Sequence, residues 1–146
     1  MFDPGSRFEI LLVEDNPGDV LLTQEAFREG RLAHRLSTVG DGEEAMQFLR
    51  KEGRYAQAPR PDVILLDLNL PKKDGRELLA EIKDDPSLRY IPIIVLTTSE
   101  AEQDVWKAYK LHANCYLTKP IHVDEFIRKI RSVEDFWLTV VRLPGK

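Results

Sequence analysis

The run Val63-Ile64-Leu65-Leu66-Asp67-Leu68-Asn69-Leu70-Pro71 constrains this chain more than any other stretch. Four branched apolar residues lead into a carboxylate, and a turn follows. A run apolar on both alternations suits a strand covered on both faces, as inside a parallel sheet. Asp67 then stands at the strand's carboxyl end, the rim where open parallel sheets bind ligands. Taken alone it has two readings: a nucleophile, or an acid that solvates a strand end.

Phe8-Glu9-Ile10-Leu11-Leu12-Val13 and Ile93-Ile94-Val95-Leu96 have the same buried character. Arg35-Leu36-Ser37-Thr38-Val39 and Asn114-Cys115-Tyr116-Leu117 are mixed in polarity and suit sheet edges. Helix signals separate the strands. Asn16 with Pro17 and Asp19 opens a helix to about Glu29, with Val20, Leu22, Ala26 and Phe27 available for its inner face. Asp41/Glu44, Asp74/Glu77 and Ser99/Glu102 have the spacing of capping boxes. Ala45, Phe48 and Leu49 follow the first of these, Leu78, Leu79 and Ile82 the second, and Val105, Ala108 and Tyr109 the third. Phe126, Ile130, Val133 and Trp137 mark a long last helix.

Strand–helix alternation implies a parallel sheet with right-handed crossovers. With the three apolar strands inside, the expected fold is α/β: a flavodoxin-like, doubly wound, five-stranded parallel sheet of order 2-1-3-4-5 with a C-terminal extension. The 146 residues, 42% of them hydrophobic, suffice for one domain with a proper core. That domain is expected over residues 8–132, with 133–146 as the end of the last helix and an extension. The net charge of −4 argues against non-specific nucleic-acid binding. No apolar run approaches the roughly 20 residues that cross a bilayer, and the first residues have no signal-peptide pattern. A single cysteine, Cys115, excludes an internal disulfide and a cysteine-based zinc site. These features fit a reducing cytoplasm.

The order brings reactive groups to one rim. Glu14 and Asp15 end the first strand, Asp67 the third, Thr97 the fourth and Lys119 the fifth. Acids held together repel one another, and a cation relieves this. The donors are all oxygens, which selects a hard ion, Mg2+ first. Lys119, the Thr97 hydroxyl and such an ion form a cradle for a phosphoryl group, and Asp67 is the acid left to attack phosphorus. Each residue alone has a plain structural explanation; their joint placement favours the chemical one. His34, His112 and His122 are scattered and are assigned no role. Cys115 is read as packing, and Lys72-Lys73, beside the acidic site, as a solvated pair with contact to a kinase as the alternative.

These residues resemble the response-regulator receiver domain of two-component signalling, the chemotaxis-receiver-like module. The resemblance covers about residues 8–132. It rests on Glu14-Asp15, Asp67 through Pro71 with Asp74-Gly75, Thr97, Lys119-Pro120, and Tyr116 three residues before the lysine. It implies that Asp67 is phosphorylated by a sensor histidine kinase. Asp15, Asp67 and the Asn69 backbone carbonyl would hold Mg2+ (or Mn2+), with Glu14 helping through water. Lys119 would bind the phosphate, its bond to Pro120 would be cis, and Thr97 and Tyr116 would form the switch. The segments Glu14 through Val20, Leu111 through Lys119 and Glu134 through Leu138 are similar to the small response regulators that partner cyanobacterial phytochromes. His112 stands where such proteins usually have glycine.

The expectation is thus a stand-alone response regulator that catalyses only its own phosphorylation and dephosphorylation. It would pass its signal to a downstream protein by contact, or act as an intermediate in a phosphorelay. The apolar stretch Phe136-Trp137-Leu138 and onward exceeds what the domain core needs and is expected to form a homodimer contact. A phosphatase with a strand-end Asp nucleophile would need a second acid where Asn69 stands. A transcription factor would need a DNA-binding domain after the receiver. A nucleotide or flavin module would need a Gly-rich phosphate loop.

Overall fold

The computed structural model describes residues 8–30, 33–68, 70, 72–98 and 115–128. Five strands, β1 (Phe8–Val13), β2 (His34–Val39), β3 (Val63–Asp67), β4 (Ile93–Thr97) and β5 (Cys115–Thr118), pair in parallel in the order β2-β1-β3-β4-β5. The helices α1 (Pro17–Glu29), α2 (Gly42–Leu49) and α3 (Gly75–Asp84) lie between them, and residues 123–128 are helical after β5. One 3-10 turn at Gly53–Tyr55, not anticipated from sequence, interrupts the loop before β3. The helix expected after Ser99 and the last helix beyond residue 128 lie outside the described residues. No helix among the described residues is long and apolar enough to cross a membrane.

Successive side chains of a strand face opposite sides, so each central strand feeds two cores. Leu11, Val13, Ile64, Leu66, Ile93 and Val95 join Ala45, Phe48, Leu78, Leu79 and Ile82 from α2 and α3. Ile10, Leu12, Val63, Leu65, Ile94 and Leu96 join Phe27 of α1 and Phe126 of the last helical segment. The Phe27 and Phe126 rings meet edge to face at 4.7 Å. β3 and β4 are buried at every position, which is why their sequences show no alternation.

Two sequence expectations need correction. Leu22, assigned to the inner face of α1, is 57% exposed, as Leu21 is at 55%. The buried stripe of α1 runs instead through Thr23 and Phe27, with Val20 packed beside it. Thr23 is tolerated there because its hydroxyl donates to the Asp19 carbonyl at 2.9 Å. Of the Lys72-Lys73 pair, Lys72 is solvated as expected, with 63% of its side chain exposed, whereas Lys73 is half-buried. Lys72 lies 3.6 Å from Asp41, and Lys73 pairs with Glu81 of α3.

Two of the three capping signals lie within the described residues, and in both the aspartate caps its helix. The Asp41 carboxylate accepts from the Glu44 amide and that of Asp74 from the Arg76 and Glu77 amides. Two glycines fix the loop after β3. A methyl group on Gly75 would sit 2.4 Å from the Leu68 Cα and 2.9 Å from the Asp67 carbonyl oxygen, so α3 starts directly against the end of β3. The Gly75 amide also donates to the Leu68 carbonyl at 3.0 Å. A methyl group on Gly42 would lie 2.6 Å from the Lys73 carbonyl oxygen, so the start of α2 braces the same loop from the other side. Overpacking against backbone costs about 1–3 kcal/mol. Gly75→Ala is therefore expected to lower unfolding free energy by about that amount, read by denaturant titration. Unchanged stability would show that α3 can retreat from β3 freely.

Candidate functional site

The carboxyl rim of the sheet gathers the reactive groups. β1 continues one residue past its end, where the Glu14 amide donates to the Val39 carbonyl. This buries Glu14 and leaves Asp15 exposed at the rim. Asp67, the last residue of β3, is buried beside them. Carboxylate oxygens of Glu14, Asp15 and Asp67 all lie within 4.8 Å of one another. Lys119 follows β5 directly, and its amide donates to the Thr97 carbonyl at 2.7 Å, which ties it to the end of β4. The Lys119–Pro120 peptide is cis.

The Lys119 ammonium reaches back across the rim. Its Nζ donates to Asp67 Oδ2 and to Asp19 Oδ2, both at 2.9 Å. It lies 2.7 Å from Glu14 Oε1, close enough for charge contact. The alignment there is not that of a hydrogen bond, and among the described residues this buried oxygen has no other donor. Burial works against the Lys119 charge, but its contacts with Glu14, Asp67 and Asp19 outweigh that and hold its pKa above the usual lysine range. Burial also pushes Glu14 up, to about 7. The Lys119 ammonium draws it down, and the Asp67 carboxylate opposes that draw.

From its place in the sequence, Asp19 is an acid that suits a helix start. It does occupy the first turn of α1, where Asn16 caps and accepts from its amide at 3.0 Å. Its carboxylate nevertheless belongs to the rim. Its position four residues after Asp15 was visible in the sequence, but its side-chain direction was not. Thr97 is fully buried, and its hydroxyl donates to the Leu117 carbonyl at 3.4 Å, toward β5. Tyr116 is buried against the α2–α3 side of the sheet, and burial raises the pKa of its phenol. Asn69, Phe136, Trp137 and Leu138 lie outside the described residues.

Among the described residues, the Lys119 ammonium contacts three carboxylates here, those of Glu14, Asp19 and Asp67, and a fourth, that of Asp15, lies within 4.8 Å of those of Glu14 and Asp67. A buried Glu14 oxygen held by charge contact with Lys119 alone among the described residues, next to two more carboxylates, belongs to a donor set for a hard divalent cation. The residues present therefore fit such an ion. The arrangement can hold an anionic group against Lys119, with the Asp67 carboxylate beside it.

Residues 10–131 match the family model described as the response regulator receiver domain. The chain belongs to that family. This receiver is 52% identical over 136 residues to response regulator Rcp1 of Synechocystis sp., covering 93% of this chain and 92% of that protein. It resembles the crystal structure of the phosphorylated cyanobacterial phytochrome response regulator RcpA, with a TM-score of 0.72 and 52% identity over 96% of this chain and all of that one. It also resembles the Mn2+-bound form of Rcp1, with a TM-score of 0.69 and 51% identity over 94% of this chain and 99% of that one.

The raised Glu14 pKa fixes a pH dependence. The folded receiver holds this proton more tightly than the unfolded chain does. Glu14 therefore contributes stability that is fully present below about 4.5 and is lost as pH rises through about 7. A divalent cation should offset that loss. The expected outcome in thermal melts is a larger stabilisation by Mg2+ at pH 8 than at pH 5, with the difference reduced in Glu14→Gln. Equal Mg2+ shifts at the two pH values would contradict the assignment.

Proposed function

We propose that this receiver accepts a phosphoryl group on Asp67 from the phosphohistidine of a sensor histidine kinase, a phytochrome kinase in particular. The observation that carries this reading is the Asp67 carboxylate at the end of β3 with the Lys119 ammonium 2.9 Å from it. An Asp67 oxygen attacks phosphorus and an O–P bond forms. The P–N bond to the kinase imidazole breaks, and its electron pair stays on that nitrogen. The product is an acyl phosphate, and attack by water on the same phosphorus resets the protein.

Lys119 donates to the phosphoryl oxygens as charge develops there. Asp15, Asp67 and the Asn69 carbonyl would hold Mg2+ or Mn2+, with Glu14 helping through water. The ion, when bound, supplies positive charge beside the phosphoryl oxygens. The phosphoryl group adds charge and acceptor oxygens, and the Thr97 hydroxyl exchanges the Leu117 carbonyl for them. Tyr116 answers on the neighbouring strand, and the altered face contacts a downstream protein in the cytoplasm. The likeness to Rcp1 and to RcpA, a phytochrome response regulator, supports the choice of kinase. A homodimer through Phe136, Trp137 and Leu138 completes the proposal.

Asp67→Asn is expected to abolish labelling by acetyl phosphate and by the cognate kinase, read as the intact mass of the protein. Stoichiometric labelling of this variant would sink the acceptor assignment. Deleting residues 133–146 is expected to give a monomer in light scattering, and a dimer that survives the deletion would place the contact elsewhere.

A further inference from the structure

Asp19 has no part in the acidic cluster formed by Glu14, Asp15 and Asp67, yet it shares the Lys119 ammonium with Asp67 at the same 2.9 Å. Both carboxylate oxygens contact one nitrogen, so they lie within about twice that distance of each other. An ammonium has three N–H donors, and here Glu14, Asp19 and Asp67 surround it. A phosphoryl group arriving on Asp67 must share this ammonium with a standing carboxylate and accept a negative charge nearby. The backbone that carries this carboxylate is fixed on both sides of its Cα, at the first turn of α1. Asn16 caps its amide, and the Thr23 hydroxyl holds its carbonyl. At 35% exposure the carboxylate is only partly screened by water.

We propose that Asp19 is a positioning residue that restrains phosphoryl binding, by claiming one N–H of Lys119 and setting a negative charge beside the site. The inference rests on the acceptor reading of Asp67 and says what limits the strength of that acceptor. A carboxylate on α1 thereby tunes chemistry carried out on β3. Asn at this position keeps a hydrogen-bond acceptor for Lys119 and removes the charge. Glu keeps the charge.

The test measures beryllofluoride affinity by calorimetry at saturating Mg2+, so that weaker cation binding does not mask the effect. Removing one unit charge at this range should tighten binding of the anion by about threefold or more in Asp19→Asn at low salt. The gain should shrink in high salt as the charge is screened, and Asp19→Glu should stay at the wild-type value. Labelling rates give a second readout that a merely structural role would not move. Asp19→Asn should speed reaction with dianionic acetyl phosphate more than with monoanionic phosphoramidate. Wild-type affinity or weaker in Asp19→Asn, or equal rate changes with the two donors, overturns the inference while wild-type labelling leaves the acceptor reading standing. A wild-type protein that takes a phosphoryl group from neither donor overturns both.

Discussion

The ammonium of Lys119 is the interaction on which the functional rim depends. It is the positive charge that the carboxylates of α1, β3 and the end of β1 share. Without it, Glu14 and Asp67 would face each other with little to offset the cost of burying charge. The fold delivers the ammonium by a short route, because the Lys119 amide is bonded to the last residue of β4. The side chain then spans from the β5 edge to the middle of the sheet. Parallel pairing matters here. Only when all strands point one way do five carboxyl ends share a rim.

Much of this was legible in the sequence, because burial on both faces leaves a plain signature. The continuous apolar runs at 10–13, 63–66 and 93–96 could only be central, and the mixed strands only edges. The order followed, and with it the meeting of Glu14, Asp15, Asp67 and Lys119. The errors came where one polar residue stands inside. Thr23 occupies the buried stripe of α1 with its hydroxyl satisfied by a backbone carbonyl, so apolar periodicity pointed to Leu22 instead. The partners of Lys72 and Lys73 were hidden for a related reason. Asp41 and Glu81 lie on separate elements, and no local pattern announces a tertiary ion pair.

Asp19 illustrates a different limit. Its backbone role at a helix start was readable and correct, and that explanation was sufficient in itself. The second role depends on where a side chain points at the first turn of α1, relative to a lysine 100 residues away. Side chains in a helix lean toward its N-terminus, here toward the rim, so the direction is general. The partner is not. Helix starts that follow a rim acid are places where a capping explanation should not end the search.

The packing of Gly42 against Lys73 has a consequence for building hybrid receivers. The entry to α2 and the loop after β3 are far apart in sequence, yet each leaves the room the other fills. A graft that replaces the loop after β3 while keeping the native start of α2, or the reverse, would join halves shaped for different neighbours. The two segments form a single exchangeable part, and a chimera designer should cut around both.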